Sequence, residues 1–355
     1  MWVESRRGTN PARRGLAKRV IDVPLSVLDL APVATGATAG EALRHTTELA
    51  RRTEELGYHR FWVAEHHNMP AIASSAPPVL IAHLAAATST IRLGSGGVML
   101  PNHAPLVVAE QFGTLEALHP GRIDLGIGRA PGTDQVTALA LRRTMEGLSA
   151  EGFPRELADL MNYFSGEQPG PITATPGLGE QPAVWLLGSS GFSAQLAGLL
   201  GLPFSFAHHF SAQNTLPALM LYRQHFRPSR FLDKPYAMVA VNVVCAETDE
   251  RAHWLAGPAG LSFLRLRSGR PQPLATPEEA AAYPYTDVER EFVAQRLEGQ
   301  AVGSPETVRR QLTELLERTG ADELMLTTMV YDVEDRVRSF QLVAEEVVGD
   351  LRRNA

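Results

Sequence analysis

Short runs of consecutive apolar residues alternate along this chain with longer stretches whose apolar positions recur every three or four residues. The runs are Val23–Leu28, Arg60–Ala64, Ile91–Gly94, Arg122–Gly128, Ala183–Gly188, Pro203–Ala207, Ala237–Val244 and Glu323–Met329. Successive side chains of a strand point to opposite faces, so a run that is apolar at both parities suits a parallel strand covered on both sides. Helical spacing fills the intervals: Gly40–Glu55, Pro77–Thr88, Pro105–Leu118, Asp134–Tyr163, Phe192–Leu200, Ala212–Phe226, Ser304–Arg318 and Val333–Val348. Pro105 suits a first helical turn, Ser304-Pro305 reads as an N-cap followed by Pro at N1, and Gly57, Gly201 and Gly320 stand where helices should stop.

Eight strand–helix units predict an α/β chain folded as a (β/α)8 TIM barrel, a fold that needs about 250 residues without insertions. The surplus falls in two places. One is about 162–182, rich in Gly and Pro. The other is about 257–290, centred on Gly257–Pro284, with SGRPQP and a Thr276–Glu279 capping box. The second follows the seventh strand directly, on the face where barrels build active sites, and reads either as a lid or as a disordered loop. Residues 1–19 read as a disordered arm, and 20–355 as a single domain.

Composition narrows the class. With 355 residues, 44% of them hydrophobic, the chain can bury a large core. Its 33 basic and 39 acidic residues, net charge −6, are evenly mixed and give no reason to expect nucleic acid or an anionic membrane as partner. Cys245 is the only cysteine, so there is no disulfide framework and no cysteine zinc site. No apolar run reaches the roughly 18 residues of a membrane span. The basic N-terminus lacks the apolar core of a secretory signal, so the expectation is a cytoplasmic protein.

Polar and glycine-rich clusters stand at five predicted strand ends: Glu65-His66-His67-Asn68, Ser95-Gly96-Gly97, Gly126–Gly132, Gly188-Ser189-Ser190-Gly191 and His208-His209. A metal is disfavoured, because adjacent histidines on a strand project to opposite faces. Gly188–Gly191, between a strand and a helix, offers backbone N–H groups, hydroxyls and a positive helix end; it reads either as a phosphate cradle or as an ordinary turn. Gly126–Gly132 has the spacing G-x-G-x-x-x-G and is no dinucleotide fingerprint, though Arg129 within it suits a phosphate or ring contact. Gly96-Gly97 allow close approach of a flat ligand; a β-bulge is the other reading.

The AEHHN of the second strand, the long block from Gly94 to Gly132, LGSSGFSAQLA from Leu187 and FAHHF from Phe206 together resemble the bacterial luciferase-like monooxygenases, in their alkanal-monooxygenase-like branch. The resemblance spans about Pro24–Val348 and implies a TIM-barrel flavoprotein. Such a protein uses reduced FMN (FMNH2) and O2, through a C4a-peroxyflavin, to oxygenate a small organic substrate. It also implies a separate NAD(P)H:flavin reductase as supplier and a homodimer. By the same resemblance, His66 is the catalytic acid/base, with Glu65 or Asn68 as orienting partners. Gly96 and Gly97 match a pair joined by a non-prolyl cis peptide beside the flavin. Arg129 and the Gly188-Ser189-Ser190-Gly191 turn match phosphate contacts, and His208 and Phe210 border the ring or substrate. The luciferase catalytic subunit has a reactive cysteine where this chain has Gly128, and its long mobile loop has no match in Gly257–Pro284, which argues against light emission and a long-chain aldehyde. Two alternatives stay open: hydride transfer with the deazaflavin F420, and a non-catalytic flavin-binding protein.

Overall fold

Strand parity organises the molecule. In the computed structural model, which describes residues 21–130, 132–142, 150–167, 170–348 and 351, the elements follow in the order β1 (Leu25–Asp29), α1 (Ala39–Glu55), β2 (Arg60–Val63), α2 (Pro77–Ala87), β3 (Arg92–Ser95), β4 (Val98–Met99), α3 (Pro105–Leu118) and β5 (Ile123–Gly128). Next come α4 (Gln135–Arg142), α5 (Phe153–Ser165), β6 (Ala183–Gly188), α6 (Gly191–Leu200), β7 (Phe204–Phe206), α7 (Thr215–His225) and β8 (Ala237–Cys245). The chain ends with α8 (Asp249–Arg267), α9 (Pro277–Ala282), α10 (Asp287–Leu297), β9 (Ala301–Gly303), α11 (Pro305–Thr319), β10 (Glu323–Thr327) and α12 (Val333–Leu342). The predicted arm, residues 1–19, lies outside the described residues.

The strands run β10-β1-β2-β3-β5-β6-β7-β8, and β10 pairs β8 to close the ring. All pairings along the ring are parallel. This is an eight-stranded TIM barrel, as the alternation of patterns predicts. Two short strands were not expected: β4 pairs β5, and β9 pairs the end of β8.

One parity of every strand packs outward against the helices, as Phe61, Val63, Phe204 and Phe206 do in the main core. The other parity fills the barrel in layers. Leu28, Trp62, Trp185, Met238 and Met325 form a separate cluster inside the ring, with Trp62 and Trp185 edge to face at 5.4 Å. Below it lies a buried ionic layer. Arg60 donates to Glu323 at 2.8 and 3.1 Å and to Asp124 at 2.9 Å. Arg92 donates to Asp124 at 2.6 Å, Trp62 Nε1 to Asp124 at 2.9 Å, and Tyr236 Oη to Glu323 at 2.9 Å. Two guanidinium groups and two carboxylates balance, so the plug is neutral and its acceptors are shared out. Burial alone would lower Arg60's pKa, but the two carboxylates raise it above its ordinary value.

One expectation needs correction. The helix predicted over Asp134–Tyr163 is not continuous: Ala150–Gly152 form a 3-10 turn, and α5 starts afresh at Phe153 with Pro in its first turn, which suits a helix start and not a helix interior. The stretch 257–290, left open between a lid and a disordered loop, is largely helical. α8 continues through Gly257 and Pro258 to Arg267, and capping boxes at Thr276/Glu279 and Thr286/Glu289 start α9 and α10. Of these, α8 and α10 wall the mouth of the barrel. The other predicted insertion, 162–182, begins inside α5 and turns irregular only after Ser165. No helix among the described residues is long and apolar enough to cross a membrane.

Candidate active site

The inner parity that carries Arg60 and Trp62 continues upward to Ala64 and His66, so His66 arrives at the C-terminal mouth of β2 facing the barrel axis. There it lines a cavity open to solvent, whose walls include Leu28, Trp62, Gly96, Gly97, Gly128, Arg129, Gly188, Ser189, Ser190 and His209. Seven of the nine site residues expected from the sequence thus meet in one cavity: His66, Gly96, Gly97, Arg129, Gly188, Ser189 and Ser190. Gly191 is the first residue of α6, immediately beyond it. His208 is directed elsewhere, with Nδ1 2.7 Å from Thr215 Oγ1 and Nε2 2.9 Å from the Gly299 carbonyl.

His66 Nδ1 lies 3.3 Å from the Gly132 carbonyl. A carbonyl only accepts, so Nδ1 holds the proton of the neutral ring and Nε2 is left as the basic nitrogen. Burial lowers the pKa of His66 below its ordinary value, which keeps the ring neutral at physiological pH. Gly132 has φ +67°, and a Cβ there would sit 2.8 Å from the Glu65 carbonyl oxygen. Only glycine brings this loop so close to the end of β2.

The expected orienting partners of His66 have other tasks. Fully buried Glu65 accepts from His67 Nε2 at 2.9 Å, His103 Nε2 at 2.9 Å, Asn102 Nδ2 at 3.1 Å and the Met99 amide at 3.0 Å. Burial would raise the pKa of this carboxyl, but the donors from His103, His67 and Met99 outweigh it and leave it below the usual value. Glu65 therefore ties β2 to the turn after β4, and it fixes His67 on the side opposite His66. Asn68, at φ +55°, bonds Asp134 and Thr137.

Gly96, Gly97 and Gly128 bring bare backbone to the cavity wall; the Gly96–Gly97 peptide is cis, Gly97 packs against Gly126 on β5, and Gly128 pairs with Met99. At one side Ser190 is the N-cap of α6 without a side-chain hydrogen bond to the first turn, so those N–H groups point to the cavity rim unclaimed by the cap. Arg129 stacks over Phe192 in that same turn, 4.4 Å from the ring centroid. A helix N-terminus and a guanidinium thus converge on one spot, and both favour an anion.

Sequence reasoning missed His209. Ser205, Ala207 and His209 share one parity and all line the cavity, whereas Phe204, Phe206 and His208 face outward. Alternation through FSFAHH carried that signal. His209 Nδ1 donates to the Ala240 carbonyl at 3.1 Å, and burial pushes its pKa down to about 4, so the ring is neutral. Sequence reasoning also missed a second cavity, which shares Leu30, His66, His209 and Phe210 with the first. Its remaining wall comes from α8, α10 and the ends of β8 and β10, including Asn242, Phe263, Arg296 and Thr327.

Comparison with known proteins places this geometry in a family. The profile of the family described as luciferase-like monooxygenase matches residues 23–323. The chain is 53% identical over 326 residues to the protein YvbT of Bacillus subtilis (strain 168), covering 91% of this chain and 96% of that one. It is 49% identical over 331 residues to a luciferase-like monooxygenase of Escherichia coli (strain K12), with 92% and 98% covered. An N-acetyl-S-alkylcysteine monooxygenase of Bacillus subtilis (strain 168) is 34% identical over 337 residues, with 93% and 100% covered. Among solved structures, apo-MsnO8 superposes with a TM-score of 0.85 at 42% identity, over 91% of this chain and 98% of that chain. Two more distant structures share the fold. The FMN complex of the oxygenating constituent of 3,6-diketocamphane monooxygenase from Pseudomonas putida has a TM-score of 0.71 at 21% identity, over 92% and 98%. An F420-dependent secondary alcohol dehydrogenase has 0.65 at 15%, over 92% and 99%. With the match running through most of the barrel and through the strand ends that build the cavity, the chain belongs to the luciferase-like monooxygenase family.

Proposed function

We propose that this protein is a flavin-dependent monooxygenase that takes reduced FMN and O2 and oxygenates a small organic substrate. The observation that carries the reading is the first cavity. Bare backbone at Gly96, Gly97 and Gly128 admits a flat ring, an anion site of Arg129 and the Ser189-Ser190 turn lies at one side, and His66 stands on the wall. These features fit a phosphorylated isoalloxazine. When bound, the reduced flavin supplies the two electrons that let one atom of O2 enter the substrate while the other leaves as water.

The chain's own residues have three tasks in this scheme. Arg129 and the first turn of α6 hold the phosphate, with Gly188 and Gly191 keeping that turn open. The apolar wall of Leu28, Trp62, Met99 and Met325 excludes water from the ring. His66 Nε2 takes or returns one proton at the reacting centre, its tautomer fixed by Gly132. The 3,6-diketocamphane enzyme is an FMN complex and the N-acetyl-S-alkylcysteine relative is a monooxygenase by name, and both support FMN with oxygen transfer. The reading includes an NAD(P)H:flavin reductase as supplier of reduced FMN, a homodimer and a cytoplasmic location.

Anaerobic titration with FMN, reduced FMN and F420, followed by admission of air, tests it. Tight binding of reduced FMN and oxygen consumption on admitting air are expected. Exclusive binding of F420, with turnover indifferent to oxygen, would establish the hydride-transfer alternative. Tight retention of oxidised flavin with no turnover would establish a non-catalytic binder.

A further inference from the structure

Arg296, on α10, projects into the second cavity in unusual company. Its Nη1 donates to the His209 carbonyl, and its guanidinium lies 4.2 Å from the centroid of Phe263 and 5.6 Å from that of Phe210. Phe263 is itself stacked on Phe292 at 5.4 Å with an interplanar angle of 4°, so the cation rests on a braced aromatic face. Among the described residues no carboxylate forms an ion pair with Arg296, whereas Arg60, Arg92 and Arg336 are each paired with an Asp or Glu. Burial alone acts on its pKa, and it acts downward, the mark of a desolvated cation without a nearby anion.

A guanidinium has five N–H donors, and only one protein acceptor takes one of them here. Leaving such a group in an apolar wall is costly unless an anion comes to it. The surroundings are otherwise suited to an organic molecule. Val244, Ala256, Ala259, Leu266 and Met329 supply apolar wall, while Asn242 from β8 and Thr327 from β10 supply polar points at adjacent strand ends. Thr327 is 2% exposed and its hydroxyl has no partner among the described residues. The uncompensated cation on this cavity is the sign of a missing anionic ligand.

We infer that the second cavity is the organic-substrate site and that it selects a substrate bearing a carboxylate, which Arg296 receives, on an apolar body that packs against Phe263, Val244 and Met329. The inference rests on the monooxygenase reading in that the first cavity holds the flavin. His66, His209 and Phe210 form the boundary common to both cavities, so a molecule anchored at Arg296 has access to the cofactor's side. The helices α8 and α10, where sequence predicted a lid or loop, are then the specificity wall.

The experiment is calorimetric titration of the full chain with octanoate and with its neutral counterpart octanamide, in wild type, Arg296→Gln and Arg296→Lys, beside an FMN titration of each variant. A charge-assisted hydrogen bond contributes about 1.5–3 kcal/mol, so octanoate should bind about 10- to 100-fold more tightly than octanamide in wild type. Arg296→Gln should abolish that preference by weakening octanoate alone, Arg296→Lys should keep part of it, and FMN affinity should stay within about twofold in both. Equal binding of acid and amide by wild type, no octanoate binding, or an unchanged preference in Arg296→Gln overturns the inference. Loss of FMN affinity in Arg296→Gln also overturns it, because the guanidinium would then serve the cofactor. If wild type binds F420 in place of FMN yet prefers octanoate through Arg296, the carboxylate assignment stands and the FMN reading fails. Arg296→Lys, with the charge kept, serves as the folded control if Arg296→Gln does not fold.

Discussion

At the N-terminal end of the barrel, Arg60, Arg92, Asp124, Tyr236 and Glu323 turn the inner parity of the strands into a neutral ionic plug in which each carboxylate takes several donors. At the C-terminal end the same parity delivers His66, His209, Asn242 and Thr327 around open space, with polar groups that no protein partner fully satisfies. The two ends share strands, register and alternation. They differ in whether polar side chains are paired within the chain or left for something else. A closed barrel needs one end filled to fix its shape, and that frees the other to carry unsatisfied groups at a cost in stability.

Breaking the plug should have the largest effect on folding. Arg60→Ala leaves Glu323 and part of Asp124 buried without their cation, and should lower the unfolding free energy by about 3–5 kcal/mol in chemical denaturation. Turnover per folded molecule should be little changed. The mirror experiment is His66→Ala at the mouth: stability within about 1 kcal/mol of wild type, but oxygen transfer slower by about 10²- to 10⁴-fold, the usual worth of a positioned acid/base. If both variants lose the same property, the division of labour between the ends is wrong.

Arg129→Ala sharpens the contrast within the mouth. It should weaken FMN about 10- to 100-fold, read by fluorescence titration, with the thermal midpoint of the cofactor-free protein unmoved. The last test is that of pH, where the effect appears only in acid. His209 has its pKa pushed down to about 4, below the ordinary value of about 6.5. The unfolded chain therefore binds a proton that the folded one refuses, and the stability present above about pH 6.5 is lost as pH falls toward 4. The loss from this one group is roughly 3 kcal/mol at most, and His209→Asn should flatten that part of the stability–pH curve.

Much of this was legible before any fold was seen. The apolar runs and their helical intervals are local properties of the chain, so the eight repeated units of the barrel could be read directly. The glycine-rich strand ends were visible for a related reason: close backbone approach and free N–H groups demand glycine and small hydroxyl residues wherever they occur. The choice between His208 and His209 was also present, in the parity that places Ser205 and Ala207 inward, although β7 is only three residues long and that phase is easily lost. The fresh start of α5 had its sign in Pro154, which a purely periodic reading passed over.

What the sequence determined by itself was the order of elements and the kind of residue at each strand end, because both follow from spacing and backbone chemistry within a few residues. Only the tertiary structure decided which of those residues share a cavity. Glu65 looked like a partner for its neighbour His66 and instead binds His103 and Asn102 from beyond β4. Arg296, 230 positions from His66 in the chain, stands on a cavity that His66 also lines. Closing the ring through β10 and β8 brings such distant positions together, and that closure depends on the simultaneous packing of all eight strands. Hydrogen bonds and charge pairs act over a few ångströms of space, and chain separation does not record that distance.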